Sequence, residues 1–308
     1  NPLKVNNFFR WSKNGAEPGE PIFVVGNPGS TSRLLTVSQL EFKRDITDPL
    51  ILNYINNFVD SLRRVISANP DKEKELNNEL FNYTNSQKVF KGTLKGLNDA
   101  VLMARKKDFE KKFIQAVNSN EKLKAKYGNV WTDISDLVKQ KREIYEKNKN
   151  GDFRTLYRKL QELGTKEEYY NQILGRAIYD VYGTSIPPDA TFTLRISDGV
   201  IKSYNYNGTI APPKTTFYGY YDRYYSFDKK YPWTLPDRWV NPPAEFDKST
   251  PINFISTNDI IGGNSGSPVI NKDAEIIGLA FDGNIESLDD NYIYNTDVPH
   301  TVSVDSEG

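Results

Sequence analysis

Gly262-Gly263-Asn264-Ser265-Gly266-Ser267-Pro268-Val269-Ile270-Asn271 is the stretch on which the reading of this chain turns. A serine sits among glycines that let the backbone bend sharply, and Val269-Ile270-Asn271 can enter a strand directly behind it. Such a bend exposes two backbone N–H groups on the side of the serine hydroxyl. Acyl transfer needs that combination: an attacking oxygen, and donors ready for the oxyanion it creates. Ser265 is therefore the candidate nucleophile, and the N–H groups of Gly263 and Ser265 are the candidate oxyanion donors. The bland alternative is a Gly/Ser loop that merely joins two strands.

A serine nucleophile needs a base. The whole chain holds one histidine, His300. Its setting, Val298-Pro299-His300-Thr301-Val302, reads as a turn entering a strand, so His300 is taken as a structural or surface residue. Asp259, Asp282 and Asp297 are carboxylates within reach along the sequence, but proximity along the chain places none of them behind an imidazole. An Asn side chain cannot serve as the base near neutral pH.

Composition narrows the class. The chain has 308 residues, enough for two domains or one large one, and 40 basic residues balance 40 acidic ones. No basic run alternates with aromatics as a nucleic-acid groove would, so no polyanion partner is expected. With no cysteine, disulfides, thiol catalysis and a conventional zinc site are excluded. No segment is long and apolar enough to span a bilayer as a helix. The chain opens Asn1-Pro2-Leu3 without an initiator Met and reads as an internal start.

Moving outward from the serine, the chain changes character twice. Ile22-Phe23-Val24-Val25, the turn-rich Gly26-Asn27-Pro28-Gly29 and Arg33-Leu34-Leu35 predict strand, turn, strand. From about Ser38 to Tyr182 the period becomes helical. Leu52, Ile55, Phe58, Val59, Leu62, Val65 and Ile66 share one face, with Asp48-Pro49 as a helix opening. Ile134, Leu137, Val138, Ile144 and Tyr145 repeat the pattern after Thr132-Asp133, and Lys and Glu fill the solvated faces. Thr191 to Ile196 then alternates as a strand, Asp198-Gly199 reads as a turn, and Val200 to Tyr206 as the returning partner. Trp233 and Trp239 mark the Pro-rich stretch from Pro232 to Pro243 as ordered, and Pro268 to Val304 is again strand-like. Strands at both ends with helices between predict one β domain interrupted by a helical insertion.

These residues resemble a known family, the S46 peptidases, bacterial dipeptidyl-peptidases of the 7 and 11 type. Gly263 to Asn271 and Ile277-Gly278-Leu279-Ala280-Phe281-Asp282-Gly283-Asn284 look like its nucleophile half. Gly26-Asn27-Pro28-Gly29-Ser30-Thr31-Ser32-Arg33 resembles its Gly-His-Pro-Gly-x-Thr-x-Arg segment, with Asn27 where His is usual. The resemblance implies an α+β fold: a chymotrypsin-like double β-barrel, partial in this chain, with an inserted α-helical cap. Its expected divisions are 1–37 and 186–308 for the peptidase domain and 38–185 for the cap. The resemblance also places the triad His and Asp before Asn1, which leaves the isolated chain inactive, and makes the helical domain short around Gly151 to Glu168.

Roles carry over by motif. Asp282 is expected to bind the substrate's free α-amino group, with Asn85 in Thr84-Asn85-Ser86-Gln87-Lys88 as a second ligand. The bland alternatives are an Asp-Gly turn for Asp282 and a helix N-cap for Asn85. Gly283 stands where acid-preferring members carry Arg, so an uncharged, roomy pocket suited to a hydrophobic P1 side chain is expected. The implied protein is a serine exopeptidase acting on peptides with a free N-terminus. It needs no metal or organic cofactor, works as a homodimer, and resides in the periplasm or at the cell surface of a Gram-negative bacterium. The competing readings are a peptide-binding homologue without activity and a helical interaction scaffold.

Overall fold

The computed structural model describes residues 4–293 and 301–308. His300 and Asp297 lie outside them. The chain forms two compact units. One is helical (Thr31–Asp189 and Leu288–Tyr294), the other β-rich (Asn1–Ser30, Ala190–Ser287 and Asn295–Gly308). The chain passes from one unit to the other at 30/31 and 189/190, and Leu288–Tyr294 belongs to the helical one.

The helical unit runs α1 (Val37–Phe42), α2 (Asp48–Ala68), α3 (Glu73–Leu97), α4 (Ala100–Asn118), α5 (Glu121–Tyr127), α6 (Val130–Asn148), α7 (Phe153–Gln161) and α8 (Gly164–Tyr182). Its helix starts are chemically specified. Thr36 and Gln39 form a capping box on α1, and Asp99, Asn120 and Asp152 accept first-turn N–H groups of α4, α5 and α7. Phe42, Phe113, Val117, Ile134, Val138, Leu174 and Ile178 build the main core.

Asp48-Pro49 opens α2 as expected, with Pro49 in its first turn, but Asp48 does not cap it. A π-helical turn, Lys43–Thr47, joins α1 to α2 without a break. Proline lacks an N–H and crowds the carbonyl one turn back, and a widened turn accommodates both defects. Asp48 is freed from capping. Its side chain is fully buried and pairs with Lys43 at 3.0 Å.

The β-rich unit contains β1 (Arg10–Trp11), β2 (Pro21–Gly26), β3 (Arg195–Val200), the hairpin β4 (Tyr204–Tyr206) and β5 (Thr209–Ala211), β6 (Lys214–Thr216), α9 (Phe217–Ser226), α10 (Asp237–Val240), β7 (Pro251–Ser256), β8 (Ser267–Ile270), β9 (Glu275–Gly283) and β10 (Thr301–Asp305). The main sheet runs β3-β2-β8-β9-β10-β7-β6, with β1 parallel to β9. β2 thus pairs with strands that lie beyond α8 in sequence. The sheet curls: past β3, Ile201 bridges to Ser256, and the Thr257 N–H donates to the Val200 carbonyl at 3.0 Å. Ile22, Val24, Ile201, Phe254, Val269, Ile277 and Ala280 fill its interior.

Three local expectations fail here. Val200 to Tyr206 does not return along Thr191 to Ile196: β3 begins at Arg195 and pairs with β2, and β4 pairs with β5. Arg33-Leu34-Leu35 forms no strand; Leu34 and Leu35 pack into the helical cores instead. Asp198-Gly199 is not a turn. β3 passes straight through it, in register with Phe23 and Ile22 of β2. Gly199 is required by close approach, since a Cβ there would sit 2.6 Å from the Asn258 nitrogen. The hairpin turn of this region is Asn207-Gly208, with φ of 48° and 76°, the strongest short hairpin signal a sequence offers.

The Pro-rich stretch is ordered as expected. Trp239 stacks edge-on against Phe217, and the Tyr221 hydroxyl donates to the Trp239 carbonyl.

Candidate active site

Ser265 is exposed in the turn that leads into β8. Asn264 builds that turn. It is only 4% exposed, its Oδ1 accepts from the Ile261 N–H at 3.2 Å, and its carbonyl accepts from the Ser267 N–H at 2.8 Å. The loop is seated on the segment after β2, where the Gly29 N–H donates to the Gly262 carbonyl at 2.7 Å.

Gly263 has φ +110°, and a Cβ on it would lie 2.6 Å from the Asn27 carbonyl oxygen. Only glycine fits. The Gly266 N–H is engaged by the Ala280 carbonyl at 2.7 Å. Among the described residues, the N–H groups of Gly263 and Ser265 have no acceptor. Both donors belong to the same turn as the exposed Ser265.

Asp282 and Gly283 end β9. Ser267 pairs with Ala280 across the β8–β9 ladder, so the serine turn and Asp282 occupy the same end of that ladder. Asp282 is exposed, and its Oδ1 accepts from the Gly283 N–H at 2.8 Å. It is a strand residue, paired with Val302 of β10, rather than part of a reverse turn. Asp259 is half-buried, with its N–H bonded to the Ser197 hydroxyl at 2.8 Å.

Asn85 belongs to the helical unit. It is exposed in the middle of α3, so the cap alternative does not hold.

Sequence reasoning named Asn264 and Asn27 but gave neither a supporting role. The latter donates from Nδ2 to the Phe192 carbonyl at 3.2 Å, tying the seat of the serine loop to the entry of β3. The turn-rich composition of Gly26 to Gly29 was a usable signal that something packs against it closely.

The Peptidase S46 family model matches residues 1–155 and 150–308. Dipeptidyl-peptidase 7 of Porphyromonas endodontalis is 38% identical over 132 residues, covering 39% of this chain and 15% of that protein. The Asp/Glu-specific dipeptidyl-peptidase of Shewanella putrefaciens is 30% identical over 156 residues, covering 41% and 21%. Among solved structures, Porphyromonas endodontalis DPP11 in complex with the dipeptide Arg-Asp superposes with a TM-score of 0.79 at 15% identity, covering 97% of this chain and 63% of that one. The chain thus matches under a quarter of the length of these curated relatives, and about two thirds of the solved one.

Proposed function

Because the chain belongs to the S46 peptidase family, we propose that it serves a serine exopeptidase that releases dipeptides from the free N-terminus of peptides. The observation that carries this reading is the exposed Ser265 flanked by two open N–H groups, at the same ladder end as Asp282.

In this reading Ser265 Oγ attacks the carbonyl carbon of the second peptide bond. The N–H groups of Gly263 and Ser265 hold the oxyanion. The C–N bond breaks, the serine proton passes through a base to the leaving amine, and water then hydrolyses the acyl-enzyme. The described residues do not supply that base.

Asp282, with Asn85, anchors the substrate ammonium. A carboxylate facing the ammonium fixes the distance from N-terminus to scissile bond, which turns a protease into a dipeptide cutter. Gly283 supports a hydrophobic P1 preference, since it brings no cation to the pocket. Family membership alone does not choose, because the relatives include both dipeptidyl-peptidase 7 and Asp/Glu-specific enzymes. The double-barrel architecture with a helical cap, the homodimer and the periplasmic or surface location belong to the same proposal.

The test is incubation of the full-length protein with peptides bearing free and acetylated N-termini, alongside fluorophosphonate labelling of Ser265. Dipeptide release from free N-termini alone is expected. Cleavage of both peptides would remove the amine anchor. An unreactive Ser265 with no turnover would leave a binding protein.

A further inference from the structure

The helical unit holds a cavity that the chemistry at Ser265 does not use. Its volume is about 790 Å³, and α5, α8 and the segment after α8 line it. Every lining residue lies between Leu34 and Pro188, within the one unit.

The walls are fixed by the chain's own bonds. Asp180 of α8 joins α5, its Oδ2 accepting from the Tyr127 hydroxyl at 2.6 Å and from Lys126 Nζ at 3.0 Å. Those bonds, Tyr127 first, hold the carboxyl below the usual carboxylate range. Beyond α8, Gly183 turns the chain with φ +61°, its N–H on the Tyr179 carbonyl at 2.8 Å. Pro187 and Pro188 then restrict the backbone that follows.

Two neighbours on α8 give the cavity its character. Gly175 lies inside the helix, where glycine costs stability relative to alanine. A Cβ on it would meet nothing within 4 Å, and its backbone is helical. Neither conformation nor close packing requires glycine there; its effect is to leave the cavity open at that point. Arg176 also lines the cavity and is exposed. Its guanidinium makes no hydrogen bond, ion pair or ring contact among the described residues. Lys126 and Asp180 neutralise each other, so Arg176 leaves the lining with one net positive charge. Most of the remaining lining is apolar: Leu34, Tyr127, Ile178, Ile186 and the two prolines.

We propose that this cavity binds a monocarboxylate with a hydrocarbon tail, a fatty acid of medium chain length. Arg176 pairs with the carboxylate, which stays wet, and the tail lies over Gly175 against the apolar wall. A peptide backbone covered by that wall would lack hydrogen-bond partners, whereas a hydrocarbon needs none. The volume falls within the range of small-molecule sites, roughly 300–1,000 Å³. The site is separate from the reading of Ser265 and does not depend on it.

The test is calorimetric titration of the full-length protein with octanoate, octanol and the tripeptide Leu-Leu-Leu, in the parent, Gly175→Leu and Arg176→Gln. Octanoate is expected to bind the parent one-to-one and octanol about tenfold more weakly. Arg176→Gln removes that difference. Gly175→Leu fills the open space while improving the helix, so octanoate binding is lost at a Tm equal to or above the parent's. Failure of octanoate to bind the parent, or unchanged binding to Gly175→Leu, overturns the site. A preference for octanoate that survives in Arg176→Gln overturns the carboxylate assignment. A Tm well below the parent's in Gly175→Leu shows that packing requires the glycine, and overturns the reading of open space. Tighter binding of the tripeptide than of octanoate overturns the hydrocarbon tail in favour of a peptide.

Discussion

The carboxylate of Asp189 accepts the backbone N–H of Arg33 at 2.9 Å, across 156 residues of sequence. Asp189 also accepts the Leu34 N–H at 3.1 Å and the Thr31 hydroxyl. One carboxylate therefore ties the first residues of the helical unit to its last.

Removing it takes the acceptor from three half-buried donors. Asp189→Ala is expected to destabilise the helical unit by about 2–4 kcal/mol, and Asp189→Asn by less, because the amide oxygen still accepts. Thermal unfolding gives the size. Faster hydrogen exchange at Arg33 and Leu34 gives the location.

Lys106 lies beside this tie and donates to the Arg33 carbonyl. Burial pushes its pKa down to about 8, against the opposing pull of Glu110 and Asp189. In the unfolded chain it titrates near 10.5. Between those pH values the unfolded state holds the extra proton, so stability rises with pH. Below about pH 8 both states are charged and the burial cost is fully present. The wild type should therefore gain on Lys106→Met by about 3 kcal/mol from pH 8 to 10.5. Paired unfolding curves at several pH values check this, and a constant difference would refute it.

Ser265 is exposed and Gly263 is conformationally constrained, so the two positions should separate activity from stability. Ser265→Ala is expected to lower kcat by about ten-thousandfold or more with unfolding nearly unchanged. Gly263→Ala should lose activity and also cost about 1–3 kcal/mol, from its positive φ and the nearby Asn27 carbonyl.

At the substrate end, Asp282→Asn should raise KM for free-N-terminus peptides by about tenfold or more, and Asn85→Ala by less. Acetylated peptides report whether the amine is what is lost.

Gly283→Arg should move P1 preference toward Asp and Glu by about tenfold or more in kcat/KM ratio. Hydrolysis of paired peptides with Leu or Glu at P1 measures it. An unchanged ratio would place the selecting residue elsewhere.

Much of this was legible in the residues. The helical period of Ile134, Leu137 and Val138 reports burial directly, and all three are core residues. The Gly262–Pro268 motif located the open turn because a bend that sharp needs glycine wherever it occurs. Local chemistry misled where two structures share it. Asp198-Gly199 suits a turn, yet Gly199 serves a strand that Asn258 approaches. Asp48-Pro49 suits a helix start, and α2 begins there, yet Asp48 is no cap but the buried partner of Lys43 and Tyr292.

The sequence by itself determined the long helices between residues 38 and 182, where the Gly262–Pro268 serine turn lies, and which family the chain resembles. Those properties depend on neighbours a few residues apart. Only the tertiary structure decided that Asn27 underlies Gly263, that Asp189 closes the helical unit on Arg33, and that Tyr292 bonds to Asp48. Each of these joins groups from about 150 to 250 residues apart, and a hydrogen bond or close packing across such a span leaves no period in the sequence.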